Sequence, residues 1–122
     1  MTTIQHIGPV TPKYSEATIY QGVVHLSGQV PDDDACAGDI HVQTRSVLAQ
    51  IDAVLARCGS SKERILRATI FLTDVKDASG MNEEWIAWLA GCPTPARATV
   101  GTCALVVPTW KIEIVIDAAS SL

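Results

Sequence analysis

Apolar and polar positions alternate in short runs along most of this chain and change to a helical period in two places. The run "ATIYQGVVHLSGQV" (17–30) holds two short strand-like stretches around Gln21-Gly22, which predicts a hairpin turning on those two residues. "PDDDACAGD" (31–39) follows as a polar loop, its proline, aspartates and glycine all breaking the pattern. Val47, Leu48, Ile51, Val54 and Leu55 then recur at helical spacing on one face. Asp39 suits the N-cap of that helix, because its carboxylate can accept unpaired first-turn amides. Gly59 stands where a left-handed residue would end it.

"RILRATIFLTD" (64–74) sets Leu66, Ala68, Ile70 and Leu72 against Ile65, Arg67, Thr69 and Phe71. Both sets are largely apolar, as in a central strand covered on its two faces. A second helix is expected from about Ala78, with Met81, Trp85, Trp88 and Leu89 on one face, a stripe that reads first as core. "RATVGTCALVV" and "WKIEIVIDAA" close the chain as two strands. The predicted order is β-β-α-β-α-β-β in one α+β domain spanning residues 1–122, with both helices on one face of a single mixed sheet. The uncovered face then needs a neighbour.

Composition sharpens that last point. Apolar residues make up 48% of the 122 and charged residues 18%, which is apolar for a small monomer whose surface must stay wet. A homo-oligomer is expected. The net charge of −4, with nine Lys and Arg scattered along the chain, argues against a nucleic-acid module, which needs a basic stripe. Neither a secretory leader nor an apolar run long enough to span a bilayer is visible, so a cytoplasmic protein is expected. The four cysteines, at 36, 58, 92 and 103, form no CxxC unit and read as small buried residues rather than metal ligands. His6, His25 and His41 read as an N-terminal surface residue, a strand residue and a helix-start residue.

Two charged residues stand out in the apolar C-terminal region. Trp110, Ile112, Ile114 and Ile116 share one face of the last strand and suit a place under the helices, with Lys111, Glu113, Val115 and Asp117 on the other. Arg97, Thr99, Gly101 and Cys103 share a face of the strand before it. We expect Arg97, Thr99 and Glu113 to point away from the helices, toward a cleft between subunits. A guanidinium there can grip a carboxylate in two-point fashion, and a glutamate can deprotonate a water. An interface salt bridge between the two would satisfy the same pattern.

The chain resembles the Rid family of reactive-intermediate deaminases, also called YjgF and historically the L-PSP endoribonucleases. The resemblance runs through "LSGQVP", "QTRSVLAQIDAVLARCGSSKERILRATIFLTD", "MNEEWIAWL", "PARATVGTCAL" and "KIEIVIDA", in that order and over nearly the whole length. It implies a chorismate-mutase-like fold and a homotrimer with clefts between subunits. It also implies hydrolysis of 2-imino or enamine acids, such as 2-aminoacrylate, to 2-keto acids and ammonia without metal or organic cofactor. Carried over residue by residue, it makes Arg97 the carboxylate-binding residue and Glu113 the one that positions water. Ser27, Gly28 and Tyr14 would line the cleft, with Thr99 where the family often has cysteine. Thr99, a shortened 31–40 loop and "VTPKYS" at Tyr14, where the family more often has an uninterrupted Gly-Pro-Tyr, set the chain in a divergent subgroup. The competing functions are a non-catalytic trimer that binds a small carboxylate, a ribonuclease, and a holdase. An acidic chain with no paired histidines offers little for RNA cleavage. Trp85, Trp88 and Phe71 are open between core and cleft.

Overall fold

The computed structural model describes residues 3–122. The strands are β1 (Gln5–Val10), β2 (Ser15–Tyr20), β3 (Val23–Leu26), β4 (Ile65–Leu72), β5 (Ala96–Gly101) and β6 (Ile112–Ala119). The helices are α1 (Ile40–Arg57) and α2 (Ala78–Trp88). All six strands form one sheet in the order β1-β2-β3-β6-β4-β5. Only β4 and β5 run parallel, and α2 is the crossover between them, as a parallel pair requires.

Local chemistry accounts for most boundaries. Gln21 (φ 50°) and Gly22 (φ 77°) both take the left-handed conformation, which gives the β2–β3 hairpin a turn whose twist matches its strands. Asp39 caps α1 by accepting from the Val42 amide at 3.0 Å, and Gly59 (φ 65°) ends the helix. That amide holds the Asp39 carboxyl below the usual carboxylate range. The predicted inner face of α1 is buried throughout, packed on Ile112, Ile114, Ile116 and Ala118 of β6, which have no exposed surface. Full burial of one such isoleucine contributes about 1.5–3 kcal/mol relative to leaving it in water. Met81 and Trp85 of α2, with Leu89 just past its end, complete the layer. Thus both helices cover one face of the sheet, and Thr69, Phe71, Glu113, Val115, Ala98 and Val100 share the other.

Four expectations need correction. The sheet has a sixth strand, β1, which carries Gly8-Pro9 and is mostly exposed, so it shows no alternation. A proline is tolerated there because β1 is an edge strand. In β4 the pairing steps from Ile65↔Ala118 to Arg67↔Asp117, placing two residues against one. That bulge reverses the phase, so Ile65 is buried and Leu66 is 51% exposed. Trp110 lies before β6, in a turn closed by its amide on the Val107 carbonyl at 3.0 Å, and does not join the isoleucines in the core. Among the cysteines, Cys58 is the buried apolar residue expected, its thiol pushed up by burial, whereas Cys103 is exposed.

Candidate functional site

The short stretch Ser27-Gly28-Gln29 leaves β3 and is stitched to β6 beside Glu113. Gln29 and Ile114 exchange both backbone hydrogen bonds, at 2.8 and 3.0 Å. Ser27 is held by its amide on the Glu16 carbonyl (2.9 Å) and by its hydroxyl donating to the Ser15 carbonyl (2.6 Å). The Gln29 side chain, only 4% exposed, donates to the Glu16 carboxylate at 3.2 Å and to the Ser27 carbonyl at 2.9 Å. Buried polar groups this well partnered fix their backbone. Gly28 is held in contact with the Glu113 side chain, and a Cβ there would collide with the carboxylate. The glycine is needed for that close approach.

Tyr14, Ser27, Gly28, Val30, Trp110 and Glu113 line a cleft of about 350 Å³ at this point. Such a volume suits a small organic molecule, whose sites span about 300–1,000 Å³. Four residues expected from the sequence (Tyr14, Ser27, Gly28 and Glu113) are thereby brought together. Val30 and Trp110 were not foreseen. Neither is signalled in the sequence, since Trp110 continues the alternation of Ile112, Ile114 and Ile116. Glu113 has no ion-pair or hydrogen-bond partner among the described residues, so its carboxylate is free to take a proton or orient a water.

Arg97 and Thr99 do not join this cleft, and their expected orientation is corrected by the strand register. β5 pairs with β4 through Ala68↔Arg97 and Ile70↔Thr99, and Ala68 and Ile70 are buried on the helix face. Arg97 and Thr99 therefore lie on that same face, opposite to Glu113. The Arg97 guanidinium sits 5.5 Å from the Trp85 ring centre, with Nη1 4.0 Å from the Met81 sulfur. Stacked on an aromatic face and with no carboxylate partner among the described residues, it keeps its donors available. The same face continues through Gly101 into a shallow concavity of about 690 Å³ formed with Thr73, Asp74, Val75, Thr102 and Cys103. None of the three residues left open reaches the Glu113 cleft. Trp85 supports Arg97, the Trp88 indole donates to Asp52 at 3.0 Å, and Phe71 lies across from Glu113 on the uncovered sheet face.

Polar clusters elsewhere are accounted for within the fold. His25 meets Asp117 at 2.6 Å on the uncovered face, and His6 meets the Ser15 hydroxyl at 3.0 Å. His41 in α1 meets Glu84 in α2 at 2.8 Å, and Arg45 reaches the same carboxylate at 3.0 Å. That hydrogen bond raises His41 above the usual histidine range and lowers Glu84. No group of three or more His, Cys, Asp or Glu among the described residues is placed to hold a metal ion. No helix among them is long and apolar enough to cross a membrane.

A six-stranded mixed sheet with two helices on one face and a glutamate-bearing cleft at the β3–β6 junction defines a recognisable class. The family model described as endoribonuclease L-PSP matches residues 3–120. A RutC family protein of Haemophilus ducreyi is 43% identical over 110 residues, covering 90% of this chain and 92% of its own. The RutC family protein YoaB of Escherichia coli K12 is 42% identical, over 88% and 90%. The crystal structure of NMB1025 from Neisseria meningitidis, described as a YjgF family member, superposes with a TM-score of 0.90 at 44% identity, over 98% and 97%. The chain belongs to this L-PSP/YjgF/RutC family.

Proposed function

We propose that this protein hydrolyses reactive 2-imino and enamine acids to 2-keto acids and ammonia, in a cleft completed by a neighbouring copy within a homotrimer. The observation that carries this reading is the placement of Arg97 and Glu113 on opposite faces of one sheet, each without a charged partner among the described residues. One copy cannot direct both at one small ligand. The Arg97 face of one copy set against the Glu113 cleft of another can. The partly apolar, uncovered sheet face supplies the surface for that assembly.

In this reading the guanidinium holds the substrate carboxylate, and Glu113 takes a proton from a water as its oxygen bonds to the imine carbon. That proton passes to nitrogen to give an amino alcohol; Glu113 then relays the hydroxyl proton to the same nitrogen, the C–N bond breaks as the keto carbonyl forms, and ammonia leaves. An enamine enters the same route after protonation at carbon to its imine. The carbon is already electrophilic, so positioning supplies the acceleration and the residues present suffice without a cofactor. Thr99 contributes a hydroxyl beside Arg97 but no thiol. RNA cleavage finds no comparable support in an acidic chain.

The test is a coupled assay in which an amino-acid oxidase or dehydratase generates the imine and keto-acid release is followed. Wild type should accelerate release. Glu113→Gln should lower turnover by about 10²–10⁴-fold, the usual worth of a positioned base. Arg97→Ala should raise KM sharply. No acceleration with any imine, from an assembled wild type, would instead leave a carboxylate-binding protein.

A further inference from the structure

Resting on that reading, we infer that Trp110 is the specificity-determining wall of the cleft, selecting 2-imino acids with branched or aromatic side chains over the three-carbon one. Trp110 lines the same cavity as Glu113 and Gly28, and its neighbours Tyr14 and Val30 extend the apolar surface. The ring takes no part in the hydrophobic core, so core packing does not explain it. Its backbone is nevertheless held with unusual care.

Gln43 of α1, with no exposed surface, brackets it. The Gln43 amide nitrogen donates to the Thr109 carbonyl at 2.9 Å and its oxygen accepts from the Lys111 amide at 2.8 Å. The same nitrogen also reaches the Cys36 carbonyl at 3.2 Å, tying in the loop before α1. A buried amide is tolerated only when its hydrogen bonds are met, and here they are met by the residues on either side of the tryptophan. The backbone that carries Trp110 is thus fixed beside the proposed water-activating carboxylate. A side chain on the imine carbon would lie against the indole. Each well-packed methylene in such a pocket is worth about tenfold or more in kcat/KM. A substrate with only a methyl side chain leaves most of the wall unused.

The experiment compares imines made in situ by an amino-acid oxidase from alanine, leucine and phenylalanine. The readout is the ratio of kcat/KM for the leucine or phenylalanine imine to that for the alanine imine. Wild type should favour the larger substrates, Trp110→Ala should lower the ratio about tenfold or more, and Trp110→Phe should retain most of it. A ratio unchanged in Trp110→Ala, whatever happens to the separate rates, overturns the inference, as does a wild type that prefers the alanine imine. Should wild type turn over no imine, the deaminase reading fails by itself. Calorimetric titration with 4-methyl-2-oxopentanoate and pyruvate then decides on the wall. Tighter binding of the larger acid that Trp110→Ala abolishes supports it, and equal binding sinks it.

Discussion

Glu113 stands on β6, which has β3 on one side and β4 on the other, whereas Arg97 stands on β5, which pairs with β4 alone. Around Glu113 the backbone is tied down. The Gln29–Ile114 exchange, the Ser27 hydroxyl and the Gln43 bracket leave the cleft little freedom. All six residues of β5 are exposed, and Arg97 is steadied only by the Trp85 ring and the Met81 sulfur. One region is finished within the chain, and the other presents its chemistry outward. In the proposed reading, the folded chain carries two complementary halves of a site rather than a site.

The largest effect should come from separating those halves genetically. Arg97→Ala and Glu113→Gln homo-oligomers should each be nearly inactive, whereas the two unfolded together and refolded as mixed oligomers should regain a substantial part of wild-type turnover. Mixed assemblies as dead as either parent would mean that both residues act within one copy. A smaller effect is expected from crowding the finished half. Gly28→Val puts a branched side chain where the Glu113 carboxylate lies, and should lower kcat without loss of assembly, read by steady-state kinetics and sedimentation. Unaltered kcat would show that the carboxylate is free to move and that the close approach is unimportant.

The smallest effect concerns the tie between the helices behind the two halves, α1 carrying Gln43 and α2 carrying Trp85. The His41–Glu84 hydrogen bond raises His41, so its stabilisation is complete below the unfolded value of 6.5 and fades as pH rises through the higher folded value. Glu84 is lowered, so its own contribution is present above 4.5 and fades as pH falls. The gap in Tm between wild type and Glu84→Gln should be widest between those two pKa values and narrow toward alkaline pH. Arg45 keeps part of it at alkaline pH. A gap that widens with pH would refute the pairing.

Much of this was legible in the chain itself, and the exceptions share a cause. The α1 face, its Asp39 cap, the Gln21-Gly22 turn and the buried isoleucines of β6 follow from local period and turn chemistry, and all are present. The four residues expected to line the cleft with Glu113 among them do meet. What failed was phase between strands. Alternation shows that Arg97 and Thr99 share a face, but which face is set by the β4–β5 register, a contact between distant segments. Leu66 was misplaced for the same reason, since one bulge residue shifts everything on its N-terminal side. Trp110 was misplaced because the alternation was extended two residues beyond the point where pairing begins.

The exposed row of β5 has a consequence for the newly made chain. A strand with one side unpaired is a template on which any other extended segment can add, and the small residues Ala96, Ala98 and Val100 offer such a segment little resistance. Arg97 is the one charged side chain along that strand, and an added strand would press against it on the side the sheet tucks under α2. A guanidinium placed there opposes such addition before assembly, and in the proposed reading it grips an anion afterwards. A substitution at this one position would then be felt in aggregation as well as in binding.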